Sequence, residues 1–143
     1  MASDFSQGSN NAFAYALQIR ERFGAHITVL HVLKPETCSN LNGVPGALAD
    51  LEKQPVEARK ELRAWVASAA EADPGAKLVV RTGLPAHEIV QAAKDLDADL
   101  VLLGNAGVTG WRHLCIGSTA EHVVRAAPCS VLVVREKERP FFC

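Results

Sequence analysis

The chain has 143 residues, 48% of them apolar and 22% charged, with 15 basic against 16 acidic residues and a net charge of −1. That is the size and composition of one globular domain, and it excludes a disordered chain, a collagen-like repeat and a disulfide scaffold. The balanced charge lacks the basic excess that phosphate-backbone binding needs, and no apolar run approaches the ~20 residues of a membrane span, so neither nucleic acid nor membrane is an expected partner.

A polar start leads into Ala12, Ala16, Ile19 and Phe23 at helical spacing, with Phe13 and Leu17 beside them. A helix is expected there, capped by Ser6 or Ser9 and ended by Gly24. Ile27 to Val32 is β-branched and mostly apolar and reads as a buried strand. Pro35, Asn40, Asn42, Gly43, Pro45 and Gly46 give the next stretch loop composition. A long helix is predicted from about Ala47 to Ala72, with Ala58, Leu62, Trp65, Val66 and Ala69 as its apolar face. Pro55 either kinks it or opens a second segment, and Pro74-Gly75 stops it.

Leu78-Val79-Val80 forms the core of the next strand, and Gly83-Leu84-Pro85 turns into a helix marked by Ile89, Val90, Ala93 and Leu96. Asp99 to Leu103 is another strand. Asp95, Asp97 and Asp99 before it read as a solvated turn, because no Gly or Glu completes a calcium loop. A glycine-rich loop runs from Gly104 to Gly117. Ser118 followed three residues later by Glu121 is a capping-box pattern opening the last helix. Pro128 ends that helix, Ser130 to Val134 is the closing strand, and residues 135–143 form a charged, then aromatic tail.

Strands that are continuous apolar runs, alternating with helices, indicate a parallel sheet covered on both faces: a doubly wound, Rossmann-like α/β domain over residues 1–143. Ligands of such folds sit beyond the carboxyl ends of the strands. Gly104, Gly107, Gly110 and Gly117 fall in that position, between a strand and a helix. Glycine admits close backbone approach, and the first N–H groups of the helix, with its dipole, suit an anion. Ser118 either binds a phosphate oxygen or caps the helix, and Arg112 and His113 add positive charge. Neither G-x-x-x-x-G-K-[ST] nor G-x-G-x-x-G is present. On loop chemistry alone the segment reads either as a phosphate cradle or as a surface loop before a capped helix.

Gly104-x-x-Gly107, nine residues, then Gly117-Ser118 resembles the G-2x-G-9x-G-[ST] pattern of ATP-binding members of the universal stress protein family. Asp4-Phe5-Ser6 resembles that family's Asp-x-Ser turn, His31-Val32 the end of its second strand, and Gly83-x-Pro85 the turn before its third helix. Ala127 to Val134 resembles its closing strand. The likeness covers nearly the whole chain outside about Pro35 to Ala72. It implies strand order 3-2-1-4-5, a homodimer through Val131, Leu132, Val133 and Val134, and a site for ATP or AMP. Carried over, Asp4 contacts the nucleoside and the Val32 backbone meets adenine. Gly104 and Gly107 line ribose and phosphates, and Gly117, Ser118 and Thr119 hold the phosphates, with Arg112 beside them. Mg2+ or Mn2+ rides on the phosphates, with no protein metal site.

Only Met1, Ala2 and Ser3 precede Asp4, so the first strand, central in that order, is expected to be largely missing. Either the start lies too late or another segment fills the gap. Cys38, Cys115, Cys129 and Cys143 form no C-x-x-C pair, and no apolar leader is visible, which points to reduced thiols and a cytoplasmic protein. No Ser-His-Asp order or Cys-His pair stands out. His26, His87 and His122 read as solvated and His31 as a structural strand-end residue. The resulting expectation is a nucleotide-dependent stress regulator or sensor with, at most, slow hydrolysis. The alternatives are a nucleotide-free interaction protein on the same fold and, behind it, an adenylating enzyme.

Overall fold

The computed structural model describes residues 1–34, 47–69, 75–105 and 116–135, with side chains of the second helix described from residue 54. The order is β1 (Ala2–Ser3), α1 (Gln7–Phe23), β2 (Thr28–Leu33), α2 (Ala47–Ala69), β3 (Lys77–Thr82), α3 (Pro85–Asp95), β4 (Leu100–Gly104), α4 (Ser118–Ala126) and β5 (Ser130–Val134). Every pairing is parallel. β1, β2 and β3 form one ladder and β4 and β5 another, with Leu30 opposite Ala2 and Val79, and Leu102 opposite Leu132. β1 lies against β4, yet among the described residues no ladder joins them. The expected single order 3-2-1-4-5 is therefore not drawn by hydrogen bonds across its middle. The cause is the length of β1, which has two residues where β2 has six and β4 has five.

Alternation along the strands sends neighbouring side chains to opposite faces. Val29, Leu102 and Val134 pack with Ala12, Phe13 and Ala16 of α1 and Leu62 and Val66 of α2. Leu30, Val101 and Leu103 pack with Ile89, Val90, Ala92 and Ala93 of α3 and Ala120 and Val123 of α4. Two helices thus cover each face, as the apolar runs require.

Ser6 caps α1, accepting from the Ser9 N–H at 3.3 Å, and Gly24 closes it in the left-handed conformation at φ 67. Pro85 occupies the first turn of α3, where its missing N–H costs nothing. Helix α2 runs unbroken through Pro55, so Pro55 opens no separate segment. The capping box expected at α4 is absent. Gly117, extended at φ −63 and ψ 153, is the cap, and it makes no side-chain cap hydrogen bond. Ser118 is already helical, so its hydroxyl cannot occupy the capping position.

The Met1 ammonium donates to the Thr28 carbonyl at 2.7 Å, the last rung of the β1–β2 ladder. Burial lowers its pKa from 8.0 to about 6, because desolvation disfavours the charged form. His26, Lys77 and Asp99 border the same hollow, which also touches Met1 and Thr28. Between those two values the unfolded chain holds more protons than the folded one, so stability rises with pH from about 6 to 8. Below about 6 the penalty is fully present, at most about 2.7 kcal/mol. Thermal unfolding of the 143-residue chain is expected to show this rise, and N-terminal acetylation to flatten it. An acetylated chain with the same slope would assign the effect to other groups.

Candidate functional site

A cavity of about 390 Å³ opens over the carboxyl ends of β1, β2 and β4. Its walls come from five places: the turn at Ser3-Asp4 with Ser9 behind it, the end of β2, Pro85 and Ile89 of α3, Gly104-Asn105 at the end of β4, and Gly117 to Ala120 at the start of α4. The volume lies in the ~300–1,000 Å³ range of small-molecule sites.

The Asp4 turn is tightly specified. The Ser9 hydroxyl donates to Asp4 Oδ1 at 2.7 Å, and the Ser6 N–H donates to the same oxygen at 3.1 Å. The Asp4 N–H in turn donates to Ser9 Oγ at 3.1 Å. Phe5 completes the turn at φ 65, a conformation rare for a bulky residue. Its N–H donates to Ser3 Oγ at 3.2 Å. The Phe5 ring stacks on His31 at 4.5 Å and meets Trp65 edge-on at 6.1 Å, which fixes the turn from behind. His31 Nδ1 lies 2.9 Å from the Ser3 carbonyl. A carbonyl only accepts, so Nδ1 carries the proton.

Asn105 ties the second wall together. Its N–H donates to the Val134 carbonyl and its carbonyl accepts from the Gly117 N–H, both at 2.8 Å. The ends of the glycine-rich segment are thereby joined, and α4 is aimed into the cavity. Among the described residues no side chain caps it, and the N–H groups of its first turn and the positive end of its dipole border the cavity, an arrangement suited to an anion. Asn105 Oδ1 is buried and has no hydrogen-bond partner among the described residues.

Of the residues predicted from sequence, Asp4, Val32, Gly104, Gly117, Ser118 and Thr119 line this one cavity. Gly107, Arg112 and the other candidates of that loop, Gly110 and His113, lie outside the described residues, as do Cys38, Cys115 and Cys143. Gly117 needs no glycine-specific dihedral, since φ −63 is open to any residue. Gly104 is glycine for another reason: a Cβ there would lie 2.7 Å from the Gly8 carbonyl carbon and 2.9 Å from its Cα. Sequence reading missed Gly8, Asn105 and the role of Ser9. A glycine in the first turn of a helix was the signal available for Gly8.

On β5, Val131 to Val133 are half-buried and Val134 is in the core. Among the described residues β5 pairs only with β4, leaving its outer edge without a strand. His26, His87 and His122 are exposed. Among the described residues no three His, Cys, Asp or Glu side chains cluster to hold a metal, and no helix is long and apolar enough to cross a membrane.

Parallel strands alternating with helices, with a cavity over the strand ends, define a Rossmann-like α/β protein. Within that class the chain belongs to the universal stress protein family, whose model matches residues 1–135. It is similar to the universal stress protein YxiE of Bacillus subtilis (strain 168), at 32% identity over 142 residues, covering 94% of this chain and 96% of the relative. Its fold matches that of MJ0577 from Methanocaldococcus jannaschii, with a TM-score of 0.78, 24% identity and coverage of 96% of this chain and 94% of that one. It also matches a universal stress protein solved in complex with cAMP, with a TM-score of 0.65, 22% identity and the same coverage of 96% and 94%.

Gly104→Ala is expected to force β4 and α1 apart. The clash is with backbone, which cannot rotate away, so the cost is about 1–3 kcal/mol. Thermal unfolding should show a lower midpoint with secondary structure retained; an unchanged midpoint would mean the two segments do not touch.

Proposed function

We propose that this universal stress protein binds an adenine nucleotide, ATP or AMP, in the cavity over the strand ends and acts as a dimeric, nucleotide-dependent regulator. The observation that carries the reading is the convergence of Asp4, Val32, Gly104, Gly117, Ser118 and Thr119, from four separate stretches of chain, on that cavity. In this reading Asp4 receives the nucleoside, the Val32 backbone meets the base, and Gly104 flanks the ribose. Gly117, Ser118 and Thr119 hold the phosphates at the uncapped start of α4, with Gly107 and Arg112 contributing from the loop. Mg2+ or Mn2+ rides on the phosphate oxygens. The cAMP complex of a protein of this fold supports an adenine nucleotide as the ligand class.

The two ladders are read as halves of one sheet in the order 3-2-1-4-5, with β5 at its edge. An apolar edge strand favours pairing with its copy about a two-fold axis, which places Val131 to Val134 at the dimer contact. None of the proposed contact residues is placed as a general base toward an attacking water, so hydrolysis is slow in this reading.

Calorimetry with ATP and AMP tests binding, and no heat at millimolar nucleotide would remove the reading. Gly117→Val tests this wall, because the backbone dihedrals at this position are open to any residue. It is expected to weaken nucleotide binding by roughly tenfold or more, with only the modest loss of stability, about 1 kcal/mol, that a poorer helix cap costs. Retained affinity would show that the start of α4 does not hold the ligand.

A further inference from the structure

Asp4 sits on an exposed turn, where a carboxylate would ordinarily sample several directions. Here one buried hydroxyl grips it twice. Ser9 is 3% exposed, within the first turn of α1, and its Oγ both accepts from the Asp4 N–H at 3.1 Å and donates to Asp4 Oδ1 at 2.7 Å. The backbone and the side chain of one residue are thus referred to a single atom. That atom is anchored by helix α1, and the Ser9 N–H is itself spent on capping the helix through Ser6 Oγ. The Ser6 N–H adds a second donor to Oδ1. Two donors on one oxygen restrain the orientation of the carboxylate.

We infer that Ser9 is a positioning residue for ligand selection: it orients the Asp4 carboxylate so that the cavity distinguishes a nucleoside from a bare phosphate chain. The inference rests on the nucleotide-binding reading above. Ser9 also borders the cavity, but its hydroxyl is committed to Asp4, so it acts through that residue. A carboxylate accepts from ribose hydroxyls or from an exocyclic amine and repels phosphate. Holding it at the nucleoside end therefore both attracts one part of the ligand and excludes the other. The uncapped start of α4 lies on a separate wall and has no bond to Ser9 among the described residues.

The test compares ATP with inorganic tripolyphosphate, each titrated calorimetrically with Mg2+ into wild type, Ser9→Ala, Ser9→Cys and Ser9→Thr. Ser9→Ala is expected to weaken ATP by about tenfold and leave tripolyphosphate unchanged or tighter. Ser9→Cys, similar in shape but a weak donor, should behave like Ser9→Ala, whereas Ser9→Thr keeps the hydroxyl and should restore the preference for ATP. The thiol variant keeps the test decisive if the alanine variant fails to fold. Equal losses for ATP and tripolyphosphate would reduce Ser9 to a structural residue and overturn the inference, as would unchanged ATP binding in Ser9→Ala and Ser9→Cys. If wild type binds no ATP, the nucleotide reading itself fails, a result distinct from either.

Discussion

The approach of Gly104, at the end of β4, to Gly8, at the start of α1, leaves no room for a Cβ and sets the distance on which the cavity depends. With a side chain at Gly104 the two segments separate, and with them the Asp4 turn from the Asn105–Gly117 bridge. Phe13, Leu62 and Val29 lock α1 onto one face of the sheet with no exposure at all. Close packing of this kind resists adjustment, so the position of the turn is inherited from the core. Among the described residues the site is built on strand ends, helix starts and the short turn at Asp4.

The other half of the site rests on backbone hydrogen bonds. Asn105 reaches Val134 on one side and Gly117 on the other. The closing strand, the end of β4 and the start of α4 are thereby referred to one residue. Its N–H and carbonyl are both used, and its buried side-chain oxygen is the one unpartnered atom of its kind found among the described residues. The walls differ in chemistry as well as in origin. The Asp4 wall carries a fixed acceptor, and the α4 wall carries uncapped donors.

Much of this was legible in the sequence because it rests on patterns with a fixed period. Continuous apolar runs at 27–32, 78–80, 99–103 and 130–134 fall within or beside the observed strands, and Gly24 and Pro85 mark real helix boundaries. The capping box at Ser118 misled because a four-residue pattern does not reveal which residue adopts the extended dihedral; Gly117 does so. The central ladder was harder to foresee. Ala2 and Ser3 are enough to pair with β2, through Leu30 and His31, but not to join β2 to β4. Gly8, Ser9 and Asn105 were not legible as site residues, since each acts on a partner distant in sequence or through an orientation that spacing does not encode. Gly107 and Arg112 stand on residues outside those described.

The Asn105–Gly117 hydrogen bond has a consequence for how such a site changes. It closes residues 106–116 into a loop whose two ends stay fixed to the sheet and to α4, whatever lies between. Ring closure depends only weakly on length, about 0.6 kcal/mol for each doubling. The segment is therefore an interchangeable cassette: residues can be inserted, deleted or replaced within it at little cost to the domain. Selection can rewrite this segment while the cavity floor and both anchors remain as they are.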